Sequence, residues 1–96
     1  MDTRASLPIE GEMTIYRAAE LKDTVLAAIA DAQALDIELR MVEEIDSSGI
    51  QLLLLARREA ARQGKPLRLI GHSAPVRESF ALLGFDEQLD PIGVTA

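Results

Sequence analysis

The sequence predicts an α/β domain, in which helices pack on a β-sheet. Stretches with the apolar alternation of strands and stretches with the apolar spacing of helices follow one another along the chain. The length of 96 residues suits a single domain with one core, covering residues 1–96. Hydrophobic residues make up 48% of the chain but aromatic residues only 3%. We therefore expect one folded unit with a core of Leu, Ile, Val and Ala.

The first half of the chain predicts a strand, a helix and a second strand. Ala5 to Met13 is predicted as an edge strand, because Pro8 has no N–H to donate to a neighbouring strand. Thr14 to Ala32 is predicted as a helix, and Leu35 to Val42 as a strand that alternates and then turns apolar. The apolar face of the helix consists of Ala18, Leu21, Val25, Ile29 and Ala32.

The second half predicts a long helix, a short strand, a short helix and a last strand. The long helix runs from Ser48 to Gln63 and is followed by the strand Leu67 to Ile70. Ser73 is placed to cap a helix from Pro75 to Leu83. Phe85 to Pro91 is expected to form a final short strand.

Charge and composition exclude several classes of function. The net charge is −6 and the pI about 4.6, so nucleic acid and anionic membrane surfaces are not expected partners. The chain has no cysteine, and Met1 to Arg4 lacks the apolar region of a signal peptide. The longest apolar run, Leu52 to Ala56, is far below the roughly 20 residues of a membrane span. We expect a cytoplasmic protein with no membrane insertion, and not the appended domain of a transporter unless it was excised from one.

No catalytic, metal or cofactor site is predicted. His72 is the only histidine, and a lone loop histidine is more often an exposed polar residue than a ligand. Ser47 and Ser48 lie in no Gly-x-Ser-x-Gly setting, and the glycines form no phosphate-binding loop. We therefore expect a protein that is not an enzyme.

The turn Asp46-Ser47-Ser48-Gly49 lies between a predicted strand and the long helix. Its side-chain oxygens can accept hydrogen bonds from the free N–H groups of the first helical turn, and helix capping is the default interpretation of such a run. The alternative is a switch. A phosphate on one of the serines would meet those N–H groups but would be repelled by Asp46 and by the nearby Glu43 and Glu44.

The long helix has an apolar and a polar arc when its residues are plotted at 100° each. The arc predicted to face the sheet contains Gly49, Ile50, Leu53, Leu54, Ala56, Ala60 and Ala61; the polar arc contains Gln51, Arg58, Glu59 and Arg62. Leu55 falls in the polar arc and Leu52 at its margin, so Leu55 is predicted to be exposed. A single exposed leucine is ordinary. The other interpretation is a docking surface made of Ser47, Ser48, Gln51, Leu55 and Arg58.

Several segments together resemble the STAS domain (sulfate transporter and anti-sigma factor antagonist). The octapeptide Asp46-Ser47-Ser48-Gly49-Ile50-Gln51-Leu52-Leu53 is similar to the signature of this family. Four further segments agree in the same order: Glu10-Gly11-Glu12 with Ala18-Ala19-Glu20-Leu21, Gln63 to Leu69, Ser73 to Arg77, and Leu82-Leu83-Gly84-Phe85. The resemblance covers nearly the whole chain. It implies a small mixed β-sheet with helices packed mainly on one side. Family members open with two strands, whereas this chain has room for little more than one before Thr14, so we expect a reduced N-terminal edge.

The resemblance also implies a function, that of a bacterial anti-sigma factor antagonist in transcription regulation. The partner would be an anti-sigma factor, a serine kinase of the histidine-kinase-like ATPase type, which phosphorylates Ser47. A serine/threonine phosphatase would reverse the modification. Asp46 and Gly49 would shape the turn, and Ser48 would cap the helix or support Ser47. Two alternatives stay open: a non-phosphorylated accessory subunit of an ABC-type lipid transport ATPase, and a chemotaxis-linked or other two-component regulator of the same family.

Overall fold

The computed structural model describes residues 4–90 and contains three strands and three helices in alternating order. The elements are β1 (Arg4–Met13), α1 (Ala18–Asp31), β2 (Ala34–Ile45), α2 (Ser47–Arg62), β3 (Leu67–Ile70) and α3 (Ala74–Leu82), followed by a 3₁₀ turn at Asp86–Gln88. Among these residues, no helix combines the length and the apolar character needed to cross a bilayer.

The three strands form one sheet in the order β1-β2-β3, with β1 paired to β2 and β2 to β3. This arrangement confirms the predicted α/β class and places β1, with its Pro8, at an edge. The sheet is not mixed within residues 4–90, because both pairs are parallel. The physical reason is that a crossover helix joins each consecutive pair of strands and returns the chain to its starting side. Right-handed crossovers in the same direction place α1 and α2 on the same face of the sheet.

The two faces of the sheet differ in polarity, as the alternation along β2 predicts. Leu35, Ile37 and Leu39 point into the core, where each is at most 3% exposed. The neighbouring Asp36 and Glu38 point to the other face and bind polar side chains of β1 and β3. One face is therefore covered by helices and the other is lined by charged groups, which explains why the apolar residues of the helices and strands merge into a single cluster.

The first helix begins at Ala18, four residues later than predicted. The intervening residues form a turn in which the N–H of Arg17 donates to the carbonyl of Thr14. The Arg17 guanidinium then donates to the backbone carbonyls of Glu10 and Glu12 at 2.7 and 2.8 Å. These bonds fasten the chain to the end of β1, so that Ile15 lies in a loop and not in a helix.

The predicted strand from Phe85 to Pro91 is wrong for the described residues, and Pro91 lies outside them. Residues 86–88 form the 3₁₀ turn instead. Asp90 still meets the edge of β3: its N–H donates to the carbonyl of Leu69, and its Oδ2 accepts from the N–H of Leu69 at 2.6 Å. The Asp90 carboxylate thus takes the place of the backbone carbonyl that a neighbouring strand would supply. The guanidinium of Arg57 donates a hydrogen bond to its Oδ2 at 2.9 Å.

Two smaller expectations about the third helix region also differ from the structure. Ser73 is the N-cap residue of α3, but its side chain makes no capping hydrogen bond. His72, expected to be exposed, is only 7% exposed, and its Nε2 lies 2.6 Å from the carbonyl oxygen of Leu69. A backbone partner for the ring nitrogen allows this polar side chain to be buried.

Candidate functional site: the first turn of α2 and the adjacent groove

Asp46 organises the junction between β2 and α2. It is the N-cap residue, and its Oδ1 accepts hydrogen bonds from the N–H groups of Ser48 and Gly49 at 2.8 and 3.3 Å. Its Oδ2 accepts a third bond, from the N–H of Ile15 at 3.1 Å. One carboxylate therefore caps α2 and also holds the β1–α1 loop beside the start of that helix.

Gly49 is required by the close approach of α2 to the end of β1. A Cβ atom at this position would lie 2.3 Å from the carbonyl oxygen of Met13 and 2.8 Å from Cγ1 of Ile45. The same carbonyl of Met13 accepts a hydrogen bond from the N–H of Asp46. The turn is thus fitted to the edge of the sheet by a residue without a side chain, and α2 begins at a fixed place against β1.

The two serines follow the cap and do not form it. Ser47 is the first residue of α2 and is exposed, while Ser48 is half-buried. Of the two roles expected for Ser48, capping the helix or supporting Ser47, capping is therefore wrong. The reason is that Asp46 has the extended backbone of an N-cap residue, which places its Oδ1 beside the N–H groups of the first turn, whereas both serines already lie within the helix. The Ser47 side chain is left at the surface.

The helix α2 is rotated about its axis relative to the arc predicted from the sequence. Leu52 is buried with 5% exposure, whereas Ala61, expected to face the sheet, is exposed. Leu55, expected to be exposed, is half-buried. The physical reason is that α1 packs along α2 and covers a side of it that periodicity alone assigns to solvent. Gln51 and Arg58 are exposed, as predicted.

A groove of about 710 Å³ lies between α1 and α2, beside the Ser47 turn. Its lining is mostly apolar and comes from the β1–α1 loop, both helices and the segment after α3: Ile15, Ala18, Ala19, Lys22, Ser48, Gln51, Leu52, Leu54, Leu55, Arg58 and Phe85. The structure therefore brings the predicted residues Ser48, Gln51, Leu55 and Arg58 together on one surface.

Sequence reasoning missed the contributions of the loop and of α1 to this surface. Ile15 is 66% exposed and Tyr16 is 89% exposed, although both are large hydrophobic residues. The sequence predicts both within the first turn of a helix that starts at Thr14. The signal that could have found them is the pair of bulky side chains placed just before the apolar helix pattern, where the chain must turn.

The charges around the site are unevenly distributed. Glu43 and Glu44, near the end of β2, are exposed and form no ion pair with the residues that the structure describes. Farther along α2, the guanidinium of Arg62 and then the amide of Gln63 hydrogen-bond Glu59 and lower the pKa of its carboxyl to about 2. The carboxylate of Glu59 is therefore neutralised within α2, whereas those of Glu43 and Glu44 have no such partner among the described residues.

The model of the family described as "Mlab, STAS domain" matches residues 2–93. The chain belongs to the STAS domain family. The predicted membership is confirmed, since the match spans nearly the entire sequence. No curated protein sequence gives a significant match to this STAS chain.

Solved structures of STAS proteins share the fold of this chain. An anti-sigma factor antagonist from Mycobacterium paratuberculosis is similar with a TM-score of 0.81 and 24% identity, covering 99% of this chain and 80% of that one. Unphosphorylated SpoIIAA, an anti-sigma factor antagonist, gives 0.76 and 18%, covering 99% and 84%. The STAS domain of a SulP transporter from Vibrio cholerae gives 0.69 and 20%, covering 97% and 77%. At these identities the likeness establishes the fold.

Proposed function

We infer that this protein is a phosphorylation-switched regulator that binds a partner protein through the first turn of α2 and the adjacent groove. The observation that carries the proposal is the exposed Ser47 hydroxyl at the first position of α2, directly beside an apolar groove. The described part of the chain thus offers a modifiable group at the rim of a surface suited to protein contact.

The geometry of the turn supports a particular mode of switching. The N–H groups of Ser48 and Gly49 are already bound by Asp46, so they are not free to receive a phosphate on Ser47. The added charge, about −1.5 to −2, would instead remain at the surface beside the Asp46 carboxylate. Repulsion of the partner then follows without any rearrangement of the fold, and a difference of about 1.4 kcal/mol already changes affinity tenfold.

The proposed partner class is supported by the structural neighbours, among which are two structures of SpoIIAA, one unphosphorylated and one phosphorylated. We assign as partner an anti-sigma factor that is also the serine kinase, of the histidine-kinase-like ATPase type, with a serine/threonine phosphatase as the opposing enzyme. The unmodified protein binds, in the cytoplasm, and the phosphorylated protein is released. Ser47 is the phosphoacceptor, and Gln51, Leu55 and Arg58 contact the partner.

The protein itself is proposed to lack catalytic activity. Within residues 4–90, no group of three or more Asp, Glu or His side chains is arranged to hold a metal ion. The purified protein is expected to hydrolyse neither ATP nor esters. Turnover that survives repurification and disappears in Ser47→Ala would contradict this assignment.

The test begins with an affinity pull-down from the native cell, followed by mass spectrometry of the bait and of its partner. Calorimetric titration of that partner against wild type, Ser47→Ala and Ser47→Asp then separates charge from shape. We expect Ser47→Ala to bind like wild type and Ser47→Asp to bind more weakly. Equal affinity for all three proteins, with no phosphate on Ser47 in cells, would refute the switch.

A second candidate function is a constitutive accessory subunit of an ABC-type lipid transport ATPase. The observation that favours it is the matching family model, which is described as "Mlab, STAS domain" and not as an anti-sigma factor antagonist. The same pull-down would identify a chemotaxis-linked or two-component regulator by the class of the partner that it captures. An ATPase of the transporter class as the partner, bound regardless of Ser47, would select the second candidate.

A further inference from the structure

We propose that the groove between α1 and α2 receives an acidic amphipathic helix of the partner, and that Lys22 and Arg58 bind its carboxylates. The inference rests on the proposed function, because it specifies what occupies the surface beside Ser47. It adds α1 and the β1–α1 loop to that surface, and it states the charge of the partner segment.

The shape of the groove fits a helix better than a small molecule. The groove follows α2 from Ser48 to Arg58, which is ten residues or roughly 15 Å at a rise of 1.5 Å per residue. Its walls are open: Leu55 is half-buried, and Ile15 at one end is 66% exposed. A small ligand would be left largely in water, whereas pockets for small molecules bury most of the ligand. A third helix laid along two others buries one apolar stripe and leaves its polar face in solvent.

The charge of the occupant follows from the cations that line the groove. Lys22 on α1 and Arg58 on α2 are the two charged residues in its lining, and both are exposed. Neither forms an ion pair with another residue in the described range 4–90. Two unpaired cations along an apolar groove, in a chain of net charge −6, are complementary to an apolar stripe flanked by carboxylates.

The acidic character of the occupant also explains how a single phosphate could act. The Ser47 end of the groove already carries the Asp46 carboxylate, with Glu43 and Glu44 nearby in the chain. Attraction to Lys22 and Arg58 therefore has to outweigh the repulsion between these carboxylates and an acidic helix. A dianion on Ser47 adds repulsion of the same sign, whereas it would attract a basic segment and strengthen binding.

The first experiment uses two designed, hydrocarbon-stapled helical peptides with identical leucine stripes. One carries Glu on its polar positions and the other carries Lys. In fluorescence anisotropy titrations with the full-length protein, the Glu peptide is expected to bind roughly tenfold more tightly than the Lys peptide. The preference should shrink at 0.5 M salt, because screening shortens the range of the interaction. Tighter binding of the Lys peptide, or no binding of either, would overturn the proposal.

The second experiment locates the contact with matched variants. Lys22→Gln and Arg58→Gln should each weaken binding of the Glu peptide roughly three- to fivefold. The control is Arg62→Gln, which makes the same charge change one turn beyond Arg58, outside the groove lining and on a residue already bound to Glu59. Equal losses in all three variants would show a general charge effect and refute the proposed contact.

Failure of this inference can be told apart from failure of the proposed function by using the partner obtained in the pull-down. Loss of binding in Ser47→Asp, with unchanged affinity in Lys22→Gln and Arg58→Gln, would keep the switch and reject the acidic helix. Weaker binding in the two groove variants, with no effect of Ser47→Asp, would support the acidic helix and reject the switch.

Discussion

The carboxylate of Asp46 accepts a hydrogen bond from the backbone N–H of Ile15, 31 positions earlier in the chain, at 3.1 Å. Through this bond the residue that caps α2 also positions the loop before α1. The exposed Ile15 therefore lies beside the Ser47 turn, and one side chain holds both the loop and the helix start at this end of the proposed docking surface.

The first prediction concerns this double role of Asp46. Asp46→Ala should lower the free energy of unfolding by about 1–2 kcal/mol, because the cap is lost. Asp46→Asn should lower it less, since an amide oxygen can still accept from Ser48, but the amide nitrogen cannot accept from Ile15. Urea titrations give the stabilities, and hydrogen exchange at the Ile15 amide reports the loop. In both variants that amide should exchange faster than in wild type.

The control for Asp46 is Ser47→Ala, which should stay within about ±0.5 kcal/mol of wild type. Ser47 follows the cap and its side chain is exposed. A loss in Ser47→Ala as large as that in Asp46→Ala would contradict the cap assignment.

The second prediction concerns Gly49. Gly49→Ala should destabilise the protein by about 1–3 kcal/mol or more, because the added Cβ would overlap the carbonyl oxygen of Met13 at 2.3 Å. That atom belongs to the backbone and cannot move without shifting the end of β1. Thermal or urea unfolding measures the effect, and Ser48→Ala is the neighbouring control in the same helical turn. A neutral Gly49→Ala would mean that α2 starts farther from β1 than described.

The third prediction tests the orientation of α2 with two leucines. Leu53→Ala should cost about 2–5 kcal/mol because Leu53 is completely buried. Leu55→Ala should cost less, about 1 kcal/mol, because half-buried Leu55 loses only part of its apolar contact. The free energies of unfolding from urea titration decide the order. If Leu55→Ala is the more costly change, the helix is rotated differently about its axis.

The fourth prediction is a loss of stability in acid that depends on Asp36. The Arg68 guanidinium hydrogen-bonds its carboxyl and, with a smaller contribution from Arg4, lowers its pKa below the ordinary 3.8, against the opposing effect of burial. A carboxyl whose folded pKa is depressed stabilises the fold fully above its unfolded pKa, and this contribution disappears as the pH falls through the folded pKa. The loss is therefore expected below about pH 4, with a size of about 1–2 kcal/mol.

The variant Asp36→Asn isolates this contribution. It should be less stable than wild type at pH 7, and the difference between the two proteins should shrink as the pH is lowered from 4 to 2. Glu78→Gln serves as the control, because Glu78 is exposed and forms no ion pair with the described residues. A constant difference between Asp36→Asn and wild type across this range would show that the ion pairs with Arg4 and Arg68 do not stabilise the fold.

Much of the fold could be predicted from local sequence patterns. The strand Leu67–Ile70 has the predicted bounds, and α2 differs from its predicted bounds by one residue at each end. These elements have strong local signals, namely apolar alternation and the segment Gly64-Lys65-Pro66, which ends a helix. The family resemblance depended on the same local segments, and the family match confirms it.

The less accurate predictions fall where distant groups decide the local structure. The bonds from Arg17 to β1 delay the start of α1. The Asp90 carboxylate, held by Arg57, takes the place of a last strand among the described residues. Each of these contacts uses a polar side chain to bind a group elsewhere in the chain. Hydrophobic periodicity carries no information about such pairs.

The sequence by itself determined the α/β class, the aliphatic core and the turn Asp46-Ser47-Ser48-Gly49 at the start of a long helix, because backbone preferences and apolar spacing act over a few residues. Only the tertiary structure decided which side of α2 is covered, that Asp46 and not a serine is the cap, and that Lys22 and Ile15 share a groove with Arg58. The covered side and the shared groove depend on the packing of α1 against α2 on one sheet, whereas the cap depends on the extended backbone that Asp46 adopts at the end of β2.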